Sequence, residues 1–218
     1  MSDLKPQLQD LVIQERKDVS LKKLGLMYEL IDTAHLMEIL LNYLATLTVE
    51  HLNIGFLAID DNQSDALFLI HVSDTVVVYI IDLISIPDCF VFEHCGANLK
   101  RILESSGILK VFFDSNTIAK AKEWNCFLEN VLCLQAEVKS FGIGQPEYFD
   151  ILDEYLQLSF YQKSAIQAIR NRALPLLEAH PIVCPRPFPV AILAYCTVTV
   201  AYHDNLANFL SEKRCGSH

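Results

Sequence analysis

The chain has 218 residues, enough to bury one substantial core and too few for two of ordinary size. Its hydrophobic fraction is 52% and its mean hydropathy +0.28, yet no charge-free apolar run reaches the roughly 18 residues of a membrane span, and the opening Met1–Lys17 fits neither a signal peptide nor an Arg-rich transit peptide. A net charge of −10 and a pI near 5.1 set the global field against RNA, because neutralising phosphates supplies most nucleic-acid affinity.

In chain order, residues 1–25 read as an amphipathic N-terminal extension, with Leu8, Leu11, Val12 and Ile13 at partly helical spacing after Pro6. A short strand over Met27–Asp32 follows, and Asp32 and Thr33 are the candidate caps of a helix with Leu36, Ile39, Leu40, Tyr43, Leu44 and Leu47 on one face. Three strands come next, at Asn53–Asp60, Ala66–Ser73 and Val76–Leu83. The last two form a hairpin turning at Ser73-Asp74-Thr75, and their near-continuous apolar runs predict cover on both faces. Residues 91–106 read as a helix ended by Gly107, then come a strand (Leu109–Asp114), a helix (115–125) and a short strand (Asn130–Leu134). From Tyr148 everything reads as helix: 148–157, 160–178, a proline-rich break, and a last long helix over 189–212. Strands first, a βαβ unit, then helices define an α/β domain over 26–214 with a mixed sheet and a helical C-terminal part.

Seven cysteines (Cys89, Cys95, Cys126, Cys133, Cys184, Cys196 and Cys215) are odd in number and form no CxxC pair, which argues against a zinc site or a disulfide framework. They read as thiols of a reducing compartment, cytoplasm or nucleus. No cofactor or metal is expected; Cys89, His94 and Cys95 match no common zinc spacing, and His71, mid-strand among hydrophobes, reads as a core histidine.

The order of elements fits a ribonuclease H-like sheet, three antiparallel strands followed by α-β-α-β. Several stretches resemble the DEDDy 3′-5′ exonuclease family, the group of ribonuclease D, over about residues 27–210. The segment Leu57–Asn62 sits where that family places its Asp-x-Glu motif. Lys110–Asp114 resembles its lysine-valine-x-histidine-aspartate strand, and Asn130–Gln135 the following asparagine-valine segment. Arg186-Pro187-Phe188, with Tyr195 eight residues after Pro187, resembles its third motif. Within the family, Asn171–Leu193 is similar to the nuclease-inactive exonuclease-domain proteins of piRNA biogenesis, a subfamily that dimerises and partners Tudor-domain proteins.

The family's reaction uses two divalent metals about 4 Å apart, held by four acids. Carried over by position, the first acid is Asp60, the second is Asn62, the third is Ile118 and the fourth is Thr199; Tyr195 stands at the water-positioning tyrosine. The resemblance therefore implies a cage with one acid left, and no two-metal catalysis. A register slip of one turn would offer Asp204 in place of Thr199. For Asp60 and Tyr195 the plainer readings are a solvated turn residue and a core tyrosine.

Lys100, Arg101, Lys110, Lys120 and Lys122 around the βαβ unit, and Lys163, Arg170 and Arg172 on one late helix, are the candidate RNA contacts. The commoner alternative is a solvated face, or pairing with acids such as Asp153, Glu154 and Glu178. Phe209 and Leu210 are expected to extend a dimer face. Three functions are compatible with these features. The leading one is a catalytically inactive scaffold in a small-RNA or transposon-silencing complex, working as a homodimer or heteromer. Behind it stand a non-cleaving single-stranded RNA-binding module and, last, a residual metal-dependent nuclease.

Overall fold

The computed structural model describes residues 18–47, 50–58, 66–142, 144, 147–179 and 186–216. Asp18 accepts hydrogen bonds from the Ser20 and Leu21 amides (2.7 and 3.3 Å) and so caps helix α1 (Val19–Leu24), the described part of the N-terminal extension. Gly25 closes that helix at φ 70°, the left-handed conformation that costs glycine least. After strand β1 (Met27–Ile31), Thr33 rather than Asp32 caps helix α2 (Ala34–Thr46), accepting from the Leu36 amide at 3.3 Å. The buried stripe of α2 is Met37, Leu40, Leu41 and Leu44; Leu36, Ile39 and Tyr43 flank it instead of sharing it.

Strands β2 (His51–Ala58), β3 (Ala66–Val72) and β4 (Val77–Asp82) form an antiparallel meander, and Asp74 (φ 63°) makes the predicted β3–β4 turn. With β7 (Leu109–Phe112) and β8 (Val131–Cys133) they build a six-stranded mixed sheet in the order β1-β4-β3-β2-β7-β8, in which β1 runs parallel to β4, β7 to β2 and β8 to β7. Every residue of β3 is buried, and successive residues serve opposite faces. Phe68 and Ile70 join the core under α2, while Leu67 and Leu69 join the core under the C-terminal helices. A third apolar cluster joins Val111 of β7 to Leu134, Val138, Ile151, Leu206 and Leu210.

Four readings of the sequence are corrected. The helix expected over 91–106 is only α3 (Leu99–Leu103). A two-residue ladder, β5 (Glu93–His94) with β6 (Ala97–Asn98), takes the preceding stretch, because Cys95 and Gly96 both adopt positive φ (51° and 79°) and Asn98 caps a new helix by accepting from the Arg101 amide at 2.7 Å. After helix α4 (Asn116–Glu123) and β8, Leu134 does not end a strand but starts helix α5 (Leu134–Ser140). Helices α6 (Tyr148–Tyr155) and α7 (Phe160–Ala179) fall as expected, but the last helix divides at Tyr202 into α8 (Val190–Ala201) and α9 (His203–Gly216). Finally, Leu210 is buried in the third cluster and so is not an exposed residue of a dimer face, whereas Phe209 is half-buried with its ring 5.7 Å from Tyr155.

Among the described residues, no helix is long and apolar enough to cross a membrane.

Candidate functional site

Strand β2 runs to Ala58 but pairs with β7 only from His51 to Asn53, so its carboxyl half has β3 on one side and no described strand on the other, the crevice being the gap between the two diverging strands. Such a divergence, at the carboxyl ends of parallel strands, is where open α/β sheets place their sites. Two helices approach it. Helix α4 follows β7 and packs on β2 from the α2 side. Helix α8 crosses β2, β3, β4 and β1 from the other side. Its approach is set by Gly55: a Cβ there would stand 2.9 Å from Val200 Cγ1. Only glycine lets the helix that carries Tyr195 and Thr199 lie this close to the strand.

Asp60 and Asn62 lie outside the described residues. Ile118, expected from the resemblance at the third acid position, is half-buried and packs against the apolar cluster that contains Phe68, Phe90 and Phe112. Thr199 is half-buried, and its hydroxyl is spent on the Cys196 carbonyl (2.7 Å). The Tyr195 ring lies 5.3 Å from Phe149, and burial raises its phenol above the ordinary range.

Asp204, the alternative fourth acid, is held elsewhere. Its Oδ2 accepts from Asn53 Nδ2 at 2.9 Å, at the start of β2 and five residues before Ala58, about 16 Å of strand from the crevice end. The same amide donates to His71 Nδ1 (3.0 Å), while His71 Nε2 donates to the Thr75 carbonyl (2.9 Å), which fixes the tautomer. Beside it, His203 is buried and donates through Nδ1 to the Val111 carbonyl (3.3 Å). Burial lowers the pKa of His71 and brings His203 down to about 4. His71 is thus a satisfied core histidine, as its place in the strand suggests.

Arg186 has a structural partner that the sequence gives no sign of. Arg186 Nε and Nη2 donate to the two carboxylate oxygens of Asp82, each at 2.8 Å, at the end of β4. Ser85 Oγ (2.6 Å) and the Ile84 amide (3.1 Å) complete the shell. Burial works to raise the Asp82 carboxyl, but the Arg186 and Ser85 bonds outweigh it and hold the pKa below the usual value. This fork ties the segment leading into α8 to the sheet. Asp82 escaped sequence reading because its partner lies 104 residues away.

Most of the candidate RNA contacts are committed within the chain. Lys100 pairs with Glu104 (3.8 Å), Lys120 with Glu123 (3.0 Å), Lys163 with Asp153 (2.8 Å), and Arg170 with Glu147 and Asp150 (2.9 and 3.8 Å). Arg172 reaches Asp18 at 2.9 Å and so pins α1 to α7. Lys110 is buried with Nζ on the Ser105 and Ile108 carbonyls; it closes the turn after α3 and is removed from any RNA surface. Arg101 donates to the Gly96 carbonyl (3.1 Å), and Lys122 is exposed on α4. These cations are distributed over α3, β7, α4 and α7. Among the described residues no three His, Cys, Asp or Glu side chains are grouped to hold a metal ion.

The mixed six-stranded sheet with its helical C-terminal part is a ribonuclease H-like fold of the kind found in ribonuclease D-like 3′-5′ exonuclease domains. Ribonuclease D of Trypanosoma brucei superposes with a TM-score of 0.63 at 21% identity, over 84% of this chain and 64% of that one. The catalytic core of RRP6 from Trypanosoma brucei gives 0.59 at 16% identity over 97% and 54%, and Escherichia coli ribonuclease D gives 0.55 at 12% over 86% and 46%. The chain thus spans less than two thirds of these proteins. At such identities the likeness establishes the fold and nothing further. No protein-family model matches the chain, and no curated protein matches its sequence.

Proposed function

We propose that the protein is a catalytically inactive relative of the 3′-5′ exonucleases, retained as a protein-interaction scaffold in an RNA-linked silencing complex. The observation that carries this reading is the fate of the charges. Where the family's chemistry needs a carboxylate the resemblance puts Ile118, which lies against an apolar cluster, and most of the cations that would grip a phosphate backbone are paired with acids of the same chain. A Mg²⁺ ion needs hard oxygen ligands, which an alkyl side chain cannot supply. A groove whose cations are already neutralised releases few counterions on meeting RNA. The place in piRNA or transposon silencing follows from the family resemblance of the C-terminal third and is part of the same proposal.

The test is purification of the tagged protein from its native tissue with and without ribonuclease. Near-stoichiometric partners that survive ribonuclease support the scaffold. Partners that vanish while RNA co-purifies overturn it in favour of an RNA-binding module. Metal-dependent loss of RNA that Asp60→Ala abolishes would establish a residual nuclease.

A further inference from the structure

Helices α6 and α7, joined by residues 156–159, leave between them an open groove of about 640 Å³. Its floor is apolar: Phe149, Leu152, Leu158 and Ile166 belong to the core under the C-terminal helices. At one end of the groove stands Phe160, the first residue of α7, with Tyr161 beside it. The two rings lie 6.1 Å apart and are 80% and 78% exposed. Adjacent aromatic rings left in water beside an apolar floor mark a contact surface.

The α6 wall of the groove is acidic. Glu147, Asp150, Asp153 and Glu154 fall within residues 147–155, which contain no lysine or arginine. From α7, Lys163 reaches Asp153, and Arg170 reaches Glu147 and Asp150. Two cations against four carboxylates leave the wall negative. The side chains of Asp150 and Asp153 are still 65% and 67% exposed, and so remain open to a further cation. Such a wall repels phosphate, whereas a lysine or arginine gains both the carboxylates and the faces of the exposed rings. Both walls are helices, whose backbone groups are largely spent within them, so a segment docking between them has to satisfy its own backbone, as a helix does.

We propose that the groove between α6 and α7 docks an amphipathic helix of a partner protein, apolar along one stripe and bordered by lysine or arginine. The stripe lies on the floor and against Phe160, and the basic border faces Asp150 and Asp153. A second copy of this chain is a poor occupant: two copies meeting groove to groove oppose their acidic walls, and juxtaposed like charges disfavour the pair. The inference rests on the scaffold reading and names one of its contact surfaces.

The experiment uses the full chain and two fluorescein-labelled peptides, followed by fluorescence anisotropy. One is Leu-Lys-Lys-Leu-Leu-Lys-Lys-Leu-Lys-Lys-Leu-Leu, with leucine at helical spacing; the other has glutamate in place of every lysine. The lysine peptide is expected to bind about tenfold more tightly than the glutamate peptide at about 150 mM salt. Asp150→Lys and Asp153→Lys should each weaken it about threefold or more and together remove the preference. Glu212→Lys makes the same charge change on an exposed position of α9 and should leave the preference intact. Phe160→Ser should weaken both peptides alike, each variant being first shown to melt like the wild type. Failure of the lysine peptide to bind, equal binding of both peptides, a preference that survives the double reversal, or an equal loss with Glu212→Lys overturns the proposal. So does a uridine oligonucleotide whose binding Lys163→Glu and Arg170→Glu weaken, which gives the groove to RNA, or a dimer that Phe160→Ser dissolves, which gives it to a second copy. If the groove fails while ribonuclease-resistant partners persist, the docking surface is wrong and the scaffold stands; if no such partners exist, the scaffold itself falls.

Discussion

Asp82 and Arg186 show how a single side-chain pair ties the segment leading into α8 to the sheet. The Asp82 side chain is 2% exposed and that of Arg186 27%, so removing the carboxylate leaves a partly buried guanidinium without its partner. Asp82→Ala is expected to cost about 3 kcal/mol, the lower end for a broken buried pair because Arg186 keeps some solvent. Urea melts read this directly. The folded Asp82 pKa lies below its unfolded value, so its contribution is complete at neutral pH and is lost only as pH falls below about 4, through the folded pKa. His203 acts in a different window. Its pKa falls from 6.5 to about 4 on folding, so between those values the unfolded chain holds the extra proton and stability drops as pH is lowered. The slope from this one group approaches about 1.4 kcal/mol per pH unit. Thermal melts from pH 7 to pH 4 should show it, and His203→Gln should flatten the profile in that window while leaving the Asp82 transition below it.

At the scale of elements, the governing contact is between α8 and β2. Gly55 gives up β-propensity so that Val200 can pack with its Cγ1 only 2.9 Å from where a Cβ would stand. Gly55→Val should destabilise by about 2 kcal/mol or more through overpacking. Pairing a smaller change, Gly55→Ala, with Val200→Ala should recover part of its loss, a coupling that a double-mutant cycle of urea melts measures. The strands and most helices could be read locally, because apolar alternation and capping residues act within a few positions: the β3–β4 hairpin and Thr33 are examples. The division of the last helix at Tyr202 could not. No proline or glycine marks it; it falls where His203 meets β7 and Asp204 meets β2, contacts 92 and 151 residues distant.

For the whole molecule, the charge balance sets the expectation toward nucleic acid. With a net charge of −10 and its late-helix cations paired to acids, the protein should bind single-stranded RNA only weakly at about 150 mM salt, and the plot of log affinity against log salt should have a shallow slope. Fluorescence anisotropy across a salt series checks it; a slope equivalent to six or so phosphates would contradict the pairing seen on α7.

The sheet's strands and their two-sided burial are legible in the chain's residue order, because each is written in residue type and short-range alternation. The tertiary structure decided which charges meet. It sent Asp204 to Asn53 rather than to the crevice and gave Arg186 to Asp82 and Arg172 to Asp18. Pairings across more than a hundred residues depend on how helices cross a twisted sheet, and no local pattern encodes that crossing.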